Sequence, residues 1–277
     1  MLDYSVTQWL FFFYIYSFLG WCFESSYVSI KSRRFVNRGF LRETLLPIYG
    51  SGAIMMLVVS APFQSLAAPQ KYIFTYLAGC VGATVLEYVT GAVMEALFKV
   101  RYWDYSAKPF NLNGHICLES TVAWGGFTVL MTALLHRPVE HVVLSIPIRV
   151  LSAVTFGITV CFSIDFILSF KAAMSLQSVL FKLEQVGKEM SLMQKRLDVL
   201  IALTDEELEK VREEIAELRE KYHVRLRDRE HLTAVKDIFQ RHMLRSNPMM
   251  ISVKFGDSLR ELQEKLEQEI RERRGNR

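Results

Sequence analysis

Residues 87–119 read EYVTGAVMEALFKVRYWDYSAKPFNLNGHICLE, and their interpretation decides the architecture. An apolar helix ending near Phe98 carries two carboxylates, Glu87 and Glu95. A polar, aromatic-rich loop follows, and the chain re-enters an apolar segment at Ile116, with Glu119 near its start. Each ionised side chain at the centre of a spanning helix costs about 2.5–3.5 kcal/mol on insertion scales, so carboxylates there are rarely accidental. The stretch therefore predicts two membrane helices, a connecting loop, and a polar site beneath that loop.

Working outward, Gly79, Ala83, Glu87, Gly91 and Glu95 recur every four residues. On a 3.6-residue helix this stripe winds slowly round the cylinder and lets a neighbouring helix approach closely. Helix packing explains the glycines, but it leaves the glutamates unexplained. The segment from about Tyr72 to Phe98 is joined by apolar segments at about Val6–Ile30, Thr44–Pro62, Ile116–Leu135 and Ser145–Phe170. Each is near the roughly 20 residues that a bilayer requires, which predicts about five crossings. The first lacks a basic leader and a small-residue cleavage site, and is expected to stay in the membrane. On it, Ser17, Gly20 and Glu24 share one face. In the second, Pro47, Gly50 and Gly52 flank Tyr49 and allow the helix to bend or open.

The chain has 277 residues and is 51% hydrophobic, yet almost all the long apolar runs lie before Phe170. The remainder is rich in Glu, Lys, Arg and Leu. The expected fold class is thus all-α: a polytopic membrane helical bundle (residues 1–172) with a cytoplasmic helical or coiled-coil tail (residues 173–277). A net charge of +4 without a basic, aromatic-interleaved stripe points away from nucleic acid. The four cysteines show no CxxC spacing, which disfavours a zinc site or disulfide frame.

Orientation follows from the short loops. Lys31, Arg33, Arg34, Arg38 and Arg42 follow the first segment; Lys99, Arg101 and Lys108 follow the third; Lys171 follows the fifth. The other loops carry only Lys71 and Arg137. The positive-inside bias places the N-terminus outside and the tail in the cytoplasm.

In the tail, Leu176, Leu180, Leu183, Met190, Leu197 and Ile201 follow a 4,3 repeat. Thr204 and Glu207 form a capping box that restarts a helix, in which Leu208, Val211, Ile215, Leu218 and Tyr222 continue the pattern. An antiparallel hairpin and an oligomeric coiled coil both fit this spacing. Residues 241–255, broken by Pro248, read as a linker before a last helix capped by Asp257.

With this topology, Glu24, Tyr49, Glu87, Glu95 and Glu119 converge towards the cytoplasmic side, under a loop that contributes Asn111 and Asn113. These seven residues are the expected lining of a cavity or substrate path. Clustered carboxylates repel, so some must be protonated, paired or bound to a cation. Arg38, Arg101 and His115 are the candidate charge partners. Oxygen-rich clusters suit hard cations, but spacing alone leaves any metal unknown. The end-placed Glu95 and Glu119 could equally reach the membrane interface. No GxSxG, HExxH, Walker loop or GxGxxG occurs, so neither classical catalysis nor a cofactor is expected.

The motifs GWCFES (20–25), NRGFL (37–41), LPIYGSGA (46–53), EYVTG with Glu95, YWDYS (102–106), FNLNGHICLE (110–119) and the WG at Trp124 resemble, in order, those of the bacterial CmpB-like ABC-transporter type IV permeases. Arg42-Glu43 stands where that family often has Gly-Pro, and His115 where Arg is common. The resemblance implies a permease-like membrane protein that relies on a separate ATPase subunit. Three function classes follow: a transport component with Glu24 and Glu87 lining its path, a membrane scaffold or sensor acting through a tail that forms homo- or hetero-oligomers, and a membrane enzyme acting on a lipid or isoprenoid head group.

Overall fold

The computed structural model describes residues 4–201, 208–235 and 237–275. Helix α1 (Val6–Ser32) opens on a capping box, in which Ser5 accepts from the Gln8 amide at 3.3 Å while the Gln8 side chain accepts from the Ser5 amide at 2.8 Å. Such a cap is worth about 1 kcal/mol. At 27 residues α1 is about 40 Å long, ample for a hydrocarbon core of about 30 Å. It ends at Arg33, whose left-handed backbone (φ 50°) turns the chain into the 33–46 loop. Helix α2 (Pro47–Ser60), with proline in its first turn, is apolar but short, and a 3-10 turn extends it to Phe63.

Helix α3 (Gln70–Phe98) returns to the end from which α2 departed. Its buried positions include Gly79, Ala83, Glu87 and Gly91 of the four-residue stripe expected from the sequence, continued by Thr75, while Glu95 at the other end of the stripe is half-buried. Helix α4 (Leu118–Leu130) packs along that stripe, seating the Thr128 side chain directly against Gly79. Glycines also bring α1 and α2 together. The Gly20 backbone lies against Tyr49, and that of Gly50 against Ser17 and the Phe13 carbonyl. Between α3 and α4 the loop folds on a small antiparallel ribbon, β1 (Asn111–Leu112) and β2 (Ile116–Cys117).

The sequence suggests that the fourth crossing ends near Leu135. Instead, a π-turn (Met131–Leu135) passes directly into α5 (His136–Ser145), with the His136 amide donating to the Met131 carbonyl. The wider turn accommodates Pro138, whose ring would clash with the preceding turn of a regular α-helix. Among the described residues, four helical stretches are long and apolar enough to cross a membrane: Val6–Ser32, Gln70–Phe98, Leu118–Ser145 and Ile148–Leu200. The shorter apolar helix Pro47–Phe63 joins them in an all-α bundle.

The last apolar segment does not end near Phe170, where its hydrophobic run stops. Helix α6 (Ile148–Ile201) spans 54 residues, about 80 Å, and crosses residues 172–173 unbroken. Helix α7 (Leu208–Thr233) folds back along its distal half, with Arg196 paired to Glu214 and Arg225 to Glu189 at 2.9 Å. Pairs that run in opposite chain order make this an antiparallel hairpin within one chain. The Thr204–Glu207 capping box lies outside the described residues. Helices α8 (Ile238–Ser246) and α9 (Gly256–Gly275) complete the tail.

Residues 241–255 do not behave as the linker suggested by Pro248. Met243, Leu244, Met250 and Phe255 share one buried core with Leu176, Leu180 and Leu183 of α6, Leu259, Leu262 and Leu266 of α9, and Phe98, Val100 and Tyr102 beyond α3. Arg101 and Ile251 exchange backbone hydrogen bonds at 2.7 and 3.0 Å, and Ser252 donates to the Lys99 carbonyl at 2.5 Å. Each fully buried leucine contributes about 1.5–3 kcal/mol, so apolar burial as well as hydrogen bonding holds this segment against the membrane bundle.

Candidate functional site

The 33–46 and 99–117 loops and the tail stand together at one end of the bundle. Just inside that end lies a cavity of about 220 Å³, lined by Glu24, Arg38, Tyr49, Glu87, Tyr105 and Trp124 among others. Glu87 is only 7% exposed, since it sits on the close-packed face of α3. Its two carboxylate oxygens accept from the Tyr105 hydroxyl at 3.1 Å and the Trp124 indole N–H at 3.0 Å. Both donors are neutral, and among the described residues Glu87 joins no ion pair. Burial first, and the neighbouring Glu87 second, hold the Tyr105 hydroxyl protonated well above the ordinary tyrosine range. Tyr105 therefore serves as a donor at any physiological pH.

Glu24, on α1, accepts from the Tyr49 hydroxyl at 2.9 Å and lies 3.6 Å from Arg38 Nε. Arg38 reaches it from the 33–46 loop, anchored at its own backbone by the Ser25 hydroxyl, which accepts from the Arg38 amide at 3.0 Å. The other side of the guanidinium donates to the Ser246 carbonyl at 3.1 Å and to Asn247 Oδ1 at 2.9 Å, both in the tail. Of the cavity's two carboxylates, Glu24 thus has a guanidinium beside it, and that guanidinium is shared with a second element.

Glu95 stands apart from this cavity. Arg101 Nε donates to it at 2.7 Å, and His115 Nε2 lies 3.2 Å from the same oxygen. The Glu95 hydrogen bond is the main reason that the Arg101 guanidinium is held above its usual value. Burial opposes ionisation of Asp104, but donors from Ser106 and Arg101 overcome it and hold the carboxyl below the usual range. This second cluster fixes the loop. Gly91 packs against the His115 and Trp103 rings, and the Trp103 indole donates to the His115 carbonyl at 2.9 Å.

The other expected site residues take different places. Asn111 braces the loop, donating to the Ser106 and Lys108 carbonyls and accepting from the Gly114 amide. Asn113, at positive φ, donates to the Tyr88 hydroxyl at 3.1 Å. Glu119 points outward with its side chain 71% exposed and pairs with Lys108 at 2.7 Å. Trp103, Tyr105 and Trp124 also line the cavity, beyond the seven residues expected from the sequence. The signal available for them was aromatic side chains with polar tips next to buried carboxylates, which need donors. Among the described residues no group of three or more His, Cys, Asp or Glu side chains is placed to hold a metal ion.

The cavity shares Tyr49, Ala53, Tyr105, Trp124 and Phe127 with a larger apolar groove of about 1030 Å³ between α1 and α4. It therefore has a side that faces the lipid-exposed surface of the bundle.

No curated protein and no solved structure gives a significant match to the chain. A protein-family model described as "Putative ABC-transporter type IV" matches residues 11–170, more than half of the chain and all of the cavity lining. The chain belongs to that family and, by its apolar helices and this membership, is a membrane protein related to transport.

Proposed function

We propose that the chain is a permease-like component whose substrate path passes through the Glu24–Glu87 cavity, with the loop end and tail in the cytoplasm. The observation that carries this reading is Glu87. It is an acid buried on a glycine-lined helix face, held by neutral donors, at the wall of a cavity that it shares with a second acid. An ionisable group in the membrane that lines a cavity marks a pathway more readily than a structural contact, because an apolar residue would pack there at no desolvation cost. The tail, rigidly joined to the last pass through α6, is the proposed docking surface for a separate ATPase subunit. In this reading residues 172–173 divide two solvents, lipid and water, rather than two independent folds.

The tail's grip on Arg38 and on the Arg101 strand favours a second reading, a scaffold or sensor in which partner binding to the tail is felt at the membrane end. Untargeted comparison of intracellular solute pools separates the two. Cells producing the Glu24→Gln, Glu87→Gln variant at wild-type level should differ from wild type in at least one solute pool. Unchanged pools, with unchanged expression, would leave the transport reading without support.

A further inference from the structure

The lining of the cavity specifies a ligand class. Tyr49 and Trp124 stand 6.5 Å apart with their ring planes at 71°, forming a corner, and Trp103 and Tyr105 add aromatic surface. Among the described residues lining this space Arg38 is the one cation; it lies against Glu24 and donates to the tail, and Glu87 joins no ion pair. An anion is disfavoured by that charge balance. A hard divalent ion requires six or more oxygen ligands, whereas most residues of this lining are aromatic or aliphatic. Aromatic faces around a carboxylate instead suit a weakly hydrated organic cation, attracted by ring quadrupoles and neutralised by one acid. The volume, that of about seven waters at ~30 Å³ each, admits a small alkylammonium group.

We infer that the Glu24–Glu87 cavity binds a monovalent organic ammonium ion, with Glu87 as counter-ion and Tyr49 and Trp124 as the walls of an aromatic cage. This assignment rests on reading the cavity as the substrate path, but binding can be measured separately from movement.

The probe is tetramethylammonium chloride, titrated against the purified full chain in a non-ionic detergent, with sodium chloride at matched ionic strength as control. The expected result is a saturable change in tryptophan fluorescence and a rise in Tm that sodium does not produce. Glu87→Gln should weaken binding at least about tenfold, and Tyr49→Leu similarly, while Tyr49→Phe, which keeps the ring, should stay within about threefold of wild type. The Tyr49 pair keeps the test informative if Glu87→Gln fails to fold. Identical responses to tetramethylammonium and sodium, or equal binding by Tyr49→Phe and Tyr49→Leu, would overturn the assignment. Saturable binding without uptake into proteoliposomes would sink the transport reading and leave the site standing. Uptake of another solute without tetramethylammonium binding would do the reverse.

Discussion

Glycine sets the position of Glu87. Because Gly79 and Gly91 have no side chain, α3 comes near enough to α4 and the 99–117 loop for Trp124 and Tyr105 to reach the carboxylate. A methyl group at Gly79 would overlap the Thr128 side chain, whereas one at Gly126 would meet open space. Gly79→Ala should therefore lower the bundle's stability by about 1–3 kcal/mol, as overpacking generally does. Gly126→Ala should change it by less than about 0.5 kcal/mol. Thermal unfolding in detergent measures both, and equal stabilities would contradict the close-approach argument. At this scale the sequence was informative about acids and glycines, because an intramembrane charge and a four-residue stripe are visible one residue at a time. It was much less informative about donors. Tyr105 lies in a polar loop and Trp124 in an apolar helix, and neither context signals that the side chain will turn to a glutamate on the preceding helix.

At the scale of elements, the periodic segments were legible and the aperiodic one was not. The leucine spacing of α6 and α7 predicts helices that bury a stripe, but it cannot distinguish an intrachain hairpin from an oligomeric coil, since both bury the same positions. The segment 241–255 has neither period. Its apolar residues point in several directions because it fills the corner between α6, α9 and the end of α3. Within that corner His242 Nε2 lies 2.8 Å from the Leu41 carbonyl, and Ser246 lies against its ring. Burial lowers the His242 pKa from its ordinary value near 6.5. The Leu41 hydrogen bond and Asp165 oppose that shift, while Arg42 and Arg245 add to it. The folded state therefore binds a proton less readily than the unfolded one, so docking is strongest above about pH 6.5 and weakens as the pH falls below it. Spin labels at Phe35→Cys and Ile238→Cys, both exposed positions, should report a narrow distance distribution at pH 7.5 that broadens towards pH 5. His242→Gln should remove that pH dependence, and a distribution unchanged across the range would show that His242 does not govern docking.

For the whole molecule, two physical causes compete to explain the same arginines. The loop end gathers Lys31, Arg33, Arg34, Arg38, Arg42, Lys99, Arg101, Lys108 and Lys171, while the opposite end has Lys71, Arg137 and, in the first turn of α6, Arg149. Positive-inside insertion would produce this asymmetry, but so would a need to hold the tail. Docking does account for several of these residues. Arg34 pairs with Glu267 at 3.1 Å, Arg38 holds Asn247, and the Arg42 guanidinium sits 5.5 Å above the Phe239 ring. It does not account for Lys99, whose ammonium donates to the Ala96 carbonyl of its own helix, nor for Lys108, which pairs with Glu119 on α4. Arg33 serves the chain as a helix cap through its backbone, a role that does not require its charge. A basic excess therefore survives once the docking residues are set aside, and it favours a cytoplasmic loop end. With the four native cysteines replaced, Ser65→Cys in the loop before α3 should react with a membrane-impermeant maleimide in intact cells. Lys108→Cys should react only after the membrane is opened. Labelling of Lys108→Cys from outside would reverse the orientation, move the mouth of the Glu24–Glu87 cavity to the outer face, and rule out a cytoplasmic ATPase docking on this tail.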